Sequence, residues 1–559
     1  MSKIICPVQS EEEINFILKN FEKKVIFLPL NLSAQLHCIY NNICFYDPIK
    51  LVTYEFHQQT IKCSKELIDN LNYEDIEEDS HKKEFKAFIR FRFHTVAFIL
   101  ELIKQLKVQK KIDEIILSGW DCYYNQFSKK NYFISSIILD LIDDIKITTV
   151  KKLTYLDYSD RAINKYYFDN APLDKNQTYI ILTNLGYNFF RIFLFLWKKN
   201  QKIICPLFEE MNIIKKTIYK ILGVKFLKLV KIKSSDVKNI KLPLLRYNYK
   251  GKDISNILNK RVKQESINIQ NLINKSIAVD DLFKSHKIKF VFTNVTKGVS
   301  GYFVDAARKF NVPSVCIPHG TLSKNFDNYD IIYKKTISEA VTSKNAQYNI
   351  SQSNISKRFF EHNKKDFNDI IYSGNLIFSK KEENRKKNKQ LLFAVTIKDL
   401  ESIQLLGVEM YYEFINNLFF LESFSKKNDC NFLVKLHPTA HSEMKILQKI
   451  FKNLGFSNKK ISKSFDNIFA TLSFSSTVIE DSLNSKCPLI LLDRWKRYKH
   501  CDAEEKSETK DSAIYYINDE ENLIKCLNSI KSSKNIDYSK YILSSDYKKN
   551  INNFLSKLF

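Results

Sequence analysis

The chain has 559 residues, 44% of them hydrophobic, and a formal net charge of +26. That length excludes one ordinary domain and supplies apolar side chains for more than one full-sized core. Only 10 residues are glycine, which excludes a glycine-rich loop as the main phosphate-binding device. The lysines are dispersed, with no zinc finger, RNP motif or basic helix, so no nucleic acid is expected as a partner.

Strands and helices alternate along most of the chain. Val25–Leu30 reads as a strand, 81–107 as a helix with one aromatic and aliphatic side, and 113–121 as a strand ending in a turn at Asp121. Thr178–Asn184 and 202–207 read as strands on either side of an aromatic helix. The apolar run 187–197 is too short for a span of about 20 residues and contains Arg191, so a core helix is expected there, with an interfacial one as the alternative. Residues 233–275 look like a polar insertion with helices. Residues 288–294, 301–310 and 313–318 form the clearest strand–helix–strand unit, which implies parallel pairing. Residues 339–343 and 369–372 read as two further strands.

The charged run 380–389 predicts a domain boundary. Beyond it, strands are expected at 390–395, 431–436, 468–472 and 488–492, with helices at 401–426, 441–454 and 476–485. The fold class that follows is α/β, with two Rossmann-like doubly wound domains facing a cleft. They span 1–378, on the acceptor side, and 390–520, which binds the nucleotide. A helical tail, 521–559, is expected to pack back on the first domain.

The 11 cysteines include no CxxC pair, and several sit in apolar runs, as reduced buried thiols do. The N-terminus has no basic region followed by a long apolar one. Both readings point to the cytoplasm. The basic excess is a solvated lysine surface or one attracted to an anionic membrane or an anionic substrate.

Ligands in open α/β sheets bind outside the carboxyl ends of the strands, and the notable polar residues fall there. Lys435, His437 and Pro438 end one strand. Ser475, Ser476 and Thr477 open a helix after another, where hydroxyls and free amides attract a phosphate. Glu480, in the same helix, has a carboxylate suited to ribose hydroxyls, while Asp481 reads as solvated. The plainer alternative is that these residues cap a helix and close a turn. In the first domain Asn294 and Lys297 end a strand as cleft or acceptor contacts. Pro318-His319-Gly320-Thr321 closes the next, with Gly320 permitting a tight turn. His319 or Asp121 is a candidate general base. No HExxH or similar spacing supports a metal site.

Lys435-Leu-His-Pro438, Ser475-Ser-Thr477 with Glu480, Lys486-Cys-Pro-Leu-Ile490 and Pro318-His-Gly-Thr321 resemble the GT-B glycosyltransferases of bacterial surface-carbohydrate synthesis. The resemblance covers about 285–495 and is nearest to capsule-type sialyl and Kdo transferases and CDP-glycerol glycerophosphotransferases. It implies an inverting, metal-independent transfer from a nucleotide-sugar, with a CMP-sugar favoured, to a surface-glycan or lipid-linked acceptor in capsule or lipopolysaccharide synthesis. The His-Pro and Ser-Ser/Thr motifs would hold the nucleotide. It implies no cofactor, the nucleotide-sugar being a substrate, and a cytoplasmic protein peripheral to the inner membrane face. The acidic motif that serves such polysialyltransferases as base is not found here. The alternatives are a glycerophosphotransferase or a sugar-nucleotide epimerase on the same fold, and a non-catalytic scaffold subunit.

Overall fold

The structure, a computed structural model, describes every residue except 1–2, 73–75, 77–78, 120–132, 152–162, 170–172, 187, 208–211, 234–241, 321, 325–330, 333–337, 381–389, 399–408, 462–463, 466, 475 and 497–505. It is of the α/β class, with doubly wound parallel sheets. Among the described residues the larger sheets number three rather than two, and the segment expected as a single N-terminal unit holds two of them. The first takes its strands in the order Val25–Pro29, Ile4–Val8, Glu114–Leu117, Lys146–Thr149, all parallel. The central sheet runs Asp369–Tyr372, Tyr348–Ser351, Ser314–Cys316, Lys287–Thr293, Thr178–Leu182, Ile203–Leu207, Lys225–Lys233, Asn164–Phe168, with only the last strand antiparallel. The C-terminal sheet runs Gly455–Ser457, Asn431–Lys435, Gln390–Ala394, Ile468–Ser473, Leu489–Leu492, Ile514–Ile517. Helices cover both faces of such sheets. Central strands are therefore apolar throughout, as in the wholly buried Leu489–Leu492.

Several elements differ from expectation. Residues 233–275 contribute one long helix, Ser255–Ser285, after a two-stranded hairpin at Asn248–Tyr249 and Lys252–Asp253. Residues 338–341 are helical, and the Thr342 hydroxyl donates to the Ser338 carbonyl, so no strand forms there. The strand Ile514–Ile517, at the edge of the C-terminal sheet, was not foreseen. The boundary run 381–389 lies outside the described residues.

The sheet built by residues 4–149 is wedged against both others. Tyr411 Oη donates to the Pro29 carbonyl (2.7 Å), and Phe98 stacks on Tyr412 with centroids 6.1 Å apart. On its other side, the helix Asp79–Gln105 meets the central sheet: Ser80 N–H donates to Asp305 Oδ2 (3.1 Å). The last helix, Tyr547–Leu558, returns to the central sheet. There Ile551, Phe554 and Leu555 join Ile192 and Phe193 in one core, and Arg191 lies over the Tyr547 ring at 3.9 Å. Because Phe554 is buried in that core, Phe554→Ala is expected to cost about 3–5 kcal/mol in urea unfolding. A cost near zero would mean the C-terminal helix is not part of the central core.

Candidate functional site

In each of the three sheets the order of the parallel strands runs outward in both directions from one adjacent pair, the antiparallel edge strand Asn164–Phe168 of the central sheet standing apart. The pairs are Ile4–Val8 with Glu114–Leu117, Thr178–Leu182 with Lys287–Thr293, and Gln390–Ala394 with Ile468–Ser473. At such a switch point the two following helices diverge and leave a crevice beyond the carboxyl ends. The sequence therefore builds three crevices, and their fillings differ.

The first is closed by the chain's own carboxylate. Ser10 caps the helix Glu11–Asn20 and so aims Glu13 back over the strand ends. Gln9 N–H donates to Glu13 Oε2 (2.7 Å), and Ser118 Oγ donates to Glu13 Oε1. Asp121, the candidate base just beyond Ser118, lies outside the described residues.

The central crevice is ordered by two matching strand ends, each Thr-Asn. Thr183 Oγ1 donates to Thr293 Oγ1 (3.0 Å), and Asn184 and Asn294 exchange amide hydrogen bonds of 2.5 and 3.3 Å. Behind Asn294 the helix Val299–Lys309 starts at Gly298, whose φ of 58° is the left-handed conformation that glycine adopts without strain. The Gly298 N–H donates to Glu84 Oε1 from the first unit, so that helix end already holds an anion. Lys297 is exposed in the same loop. His319 donates from Nδ1 to the Asn294 carbonyl (2.7 Å), because a carbonyl only accepts. That fixes the tautomer and makes Nε2 the acceptor nitrogen. Burial pushes the imidazole down to about 4, against the opposing effect of the Asn294 hydrogen bond, so it is neutral at pH 7. The turn does not need Gly320: its φ is not left-handed, and an added Cβ would meet Val341 at an ordinary 3.7 Å. Thr321 lies outside the described residues.

The C-terminal crevice carries the predicted donor motifs. Ser473 Oγ donates to the Ala394 carbonyl (2.6 Å) and ties the two strands of the switch point together. Ser476 follows, accepting from Val478 N–H (3.4 Å), while Thr477 makes no side-chain cap. Ser475 lies outside the described residues. On the far side of Gln390–Ala394, Lys435 ends its strand half-buried and donates from Nζ to the Leu436 carbonyl (2.7 Å). Burial lowers its pKa, and among the described residues no carboxylate pairs with it. Half-buried His437 accepts from Ala440 N–H through its carbonyl (2.9 Å), and exposed Pro438 opens a turn of 3-10 helix.

Glu480 and Asp481 are not where the sequence puts them. Glu480 is 1% exposed and accepts from Ser353 Oγ (2.8 Å) of the central unit, so this oxygen is taken by a seam between sheets rather than turned to a ribose. Among the described residues its other oxygen has no hydrogen-bond partner. Desolvation pushes the carboxyl up to about 7. Asp481 is also buried, not solvated. It accepts from Ser379 N–H (2.6 Å), and desolvation raises it to about 6, against the pull of Arg191. Next to Ser353, Gln352 donates to the Pro318 carbonyl (2.7 Å) and accepts from Leu376 and Ile377 N–H. The Gln352-Ser353 pair thus joins the His319 turn to the helix that follows Ser476. Sequence reasoning missed Thr183, Asn184, Gln352 and Ser353; the repeated Thr-Asn ending was a usable signal for the first two.

No protein-family model matches the chain, and no curated protein sequence does. Solved structures give distant matches. A UDP-GlcNAc 2-epimerase from Neisseria meningitidis, bound to UDP-GlcNAc, is 13% identical over 68% of this chain and 100% of that one, with a TM-score of 0.38. The wall teichoic acid polymerase TagF is 12% identical over 69% and 85%, at 0.32. TarM is 11% identical over 69% and 99%, at 0.38.

The pH dependence of the seam has a definite sign. Glu480 has its pKa raised from about 4.5 unfolded to about 7 folded. Its contribution to stability is full below pH 4.5 and is lost as the pH rises through 7. Glu480→Gln is expected to remove that loss, so the difference in melting temperature between variant and wild type grows in the variant's favour from pH 4.5 to 8. A constant difference would show that Glu480 titrates normally. His319 works oppositely, losing stability as the pH falls from about 6.5 to 4, but it is common to both proteins and cancels.

Proposed function

We propose that the chain is an enzyme of the GT-B type that moves a sugar from a nucleotide-sugar to a glycan or lipid-linked acceptor. One observation carries the reading. Of the three switch-point crevices, the first contains Glu13 and the second has Glu84 at its helix end. At the carboxyl ends of the third sheet Lys435, a partly desolvated cation with no carboxylate partner among the described residues, and the Ser476 hydroxyl flank the strand Gln390–Ala394 on its two sides. A nucleotide diphosphate or monophosphate supplies the missing anion. A CMP-sugar is favoured by the His-Pro and Ser-Ser motifs.

The chemistry follows from the two crevices. The acceptor oxygen attacks the anomeric carbon as the bond from that carbon to the nucleotide phosphate breaks. The bonding electrons leave on the phosphate oxygen, where Lys435 and Ser476 offset the charge. The acceptor proton passes to a base on the central side. Neutral His319, with Nδ1 committed to Asn294, offers Nε2 for it. Asn184 and Asn294 offer amides to sugar hydroxyls. Attack from the face opposite the leaving group inverts the anomeric configuration, and no step requires a metal. The same set suits glycerophosphate transfer, where the hydroxyl attacks phosphorus instead. Product analysis separates the two.

Thermal unfolding with CMP, CDP and UDP tests the reading. A nucleotide at about 100 times its Kd is expected to stabilise the protein by about 2.7 kcal/mol. Lys435→Ala is expected to weaken that nucleotide about tenfold. If no nucleotide stabilises the chain, the scaffold reading replaces this one. If Lys435→Ala binds as wild type does, the site is elsewhere. In transfer assays, His319→Ala is expected to lower kcat about 100-fold with nucleotide affinity unchanged; an unchanged kcat would remove His319 as the base.

A further inference from the structure

The helices Phe190–Lys198 and Ile213–Ile221 lie side by side on one face of the central sheet, since each follows a strand and crosses to the next neighbour in the same direction. They meet through Phe193 and Tyr219, both buried, edge to face at 5.1 Å. What they turn outward is unusual. Ile214, Ile218 and Ile221, at helical spacing, form a stripe on the side away from Tyr219. Ile214 is 71% and Ile221 79% exposed, and Ile213 beside them is 81% exposed. The neighbouring helix adds exposed Phe190, Leu194 and Trp197 at the same spacing. Water is a poor solvent for such a face, and contiguous exposed apolar residues mark a contact surface.

The charge around it selects the partner. From Asn212 to Lys233 there are seven lysines and no acidic residue, and Lys198 and Lys199 border the other helix. A second copy of this face would bring lysines against lysines. An anionic bilayer meets both needs. Its headgroups receive the ammonium groups, while the boundary of the acyl chains receives the isoleucines and Trp197. Among the described residues no helix is long and apolar enough to cross a membrane, so the contact is one of lying on the surface.

We infer that the outer face of helices Phe190–Lys198 and Ile213–Ile221 docks the protein on an anionic lipid surface. Both helices begin beyond the carboxyl ends of Thr178–Leu182 and Ile203–Leu207, the sheet edge that carries Asn184. A docked bilayer therefore lies beside the central crevice, where a lipid-borne acceptor would enter. Only that last link rests on the proposed transfer.

Co-sedimentation with vesicles tests the docking without any activity measurement. The full chain is expected to bind vesicles of phosphatidylglycerol mixed with phosphatidylcholine, to release in high salt, and to ignore phosphatidylcholine alone. Ile214→Ser with Ile221→Ser, and separately Lys215→Glu with Lys216→Glu, are each expected to weaken binding about tenfold. These side chains are exposed, so circular dichroism and melting temperature are expected to stay as in wild type. Three results would overturn the inference: no binding to the mixed vesicles, equal binding by the variants, or a wild-type dimer that the isoleucine variant dissociates. Any of them leaves nucleotide binding, and so the proposed function, untouched.

Discussion

The hydrogen bond from Ser353 to Glu480 joins the central doubly wound sheet to the C-terminal one inside a buried seam. Both groups are buried, and each belongs to a helix start: Ser353 caps Asn354–His362, while Glu480 lies in the first turn of Val478–Asn484. Around them Ile355 packs with Ile479, Leu483 and Tyr541. A carboxyl in that setting is costly when ionised, because among the described residues one oxygen has no hydrogen-bond partner and the neighbouring charge is that of Asp481. The chain tolerates it because its neighbour Gln352 braces the Pro318–His319 turn and the linker at Leu376–Ile377. Two adjacent residues thereby tie the His319 turn to the helix that follows Ser476.

The three switch points share a topology and differ in electrostatics. A carboxylate of the chain sits in the first and at the helix end of the second. The third leaves half-buried Lys435 without an acidic partner among the described residues. In the sheet of residues 4–149 Glu13 accepts from Gln9 and Ser118 at the strand ends, and the long helix Asp79–Gln105 delivers Glu84 to the Gly298 loop.

Much of this was legible in the sequence. Apolar runs such as 431–436 and 488–492 fixed strands because a buried parallel strand has no polar face to disguise it. The ends of the predicted strands put Lys435, His437, Ser476, Asn294 and His319 at or just beyond the carboxyl ends of the sheets, where ligands meet an open sheet. What was illegible depends on contacts distant in sequence. Glu480 and Asp481 look like first-turn acids, and only the partners Ser353 and Ser379, over 100 residues away, show them to be structural. The first sheet was hidden for the same reason. Its strands Ile4–Val8 and Glu114–Leu117 are adjacent in space but separated by the long helices of residues 54–105. Residues 339–343 read as a strand from their β-branched members, yet Thr342 is bonded back to Ser338 as in a helix.

The central claim is that the nucleotide occupies the C-terminal switch point. Hydrogen–deuterium exchange with and without a saturating nucleotide tests it most directly. The account predicts slowed exchange at Val395–Thr396, Leu436–His437 and Phe474–Glu480, with Gln9–Glu13 and Asn184–Leu185 unchanged. Protection confined to the first or the central crevice, with none around Ser476, would contradict it.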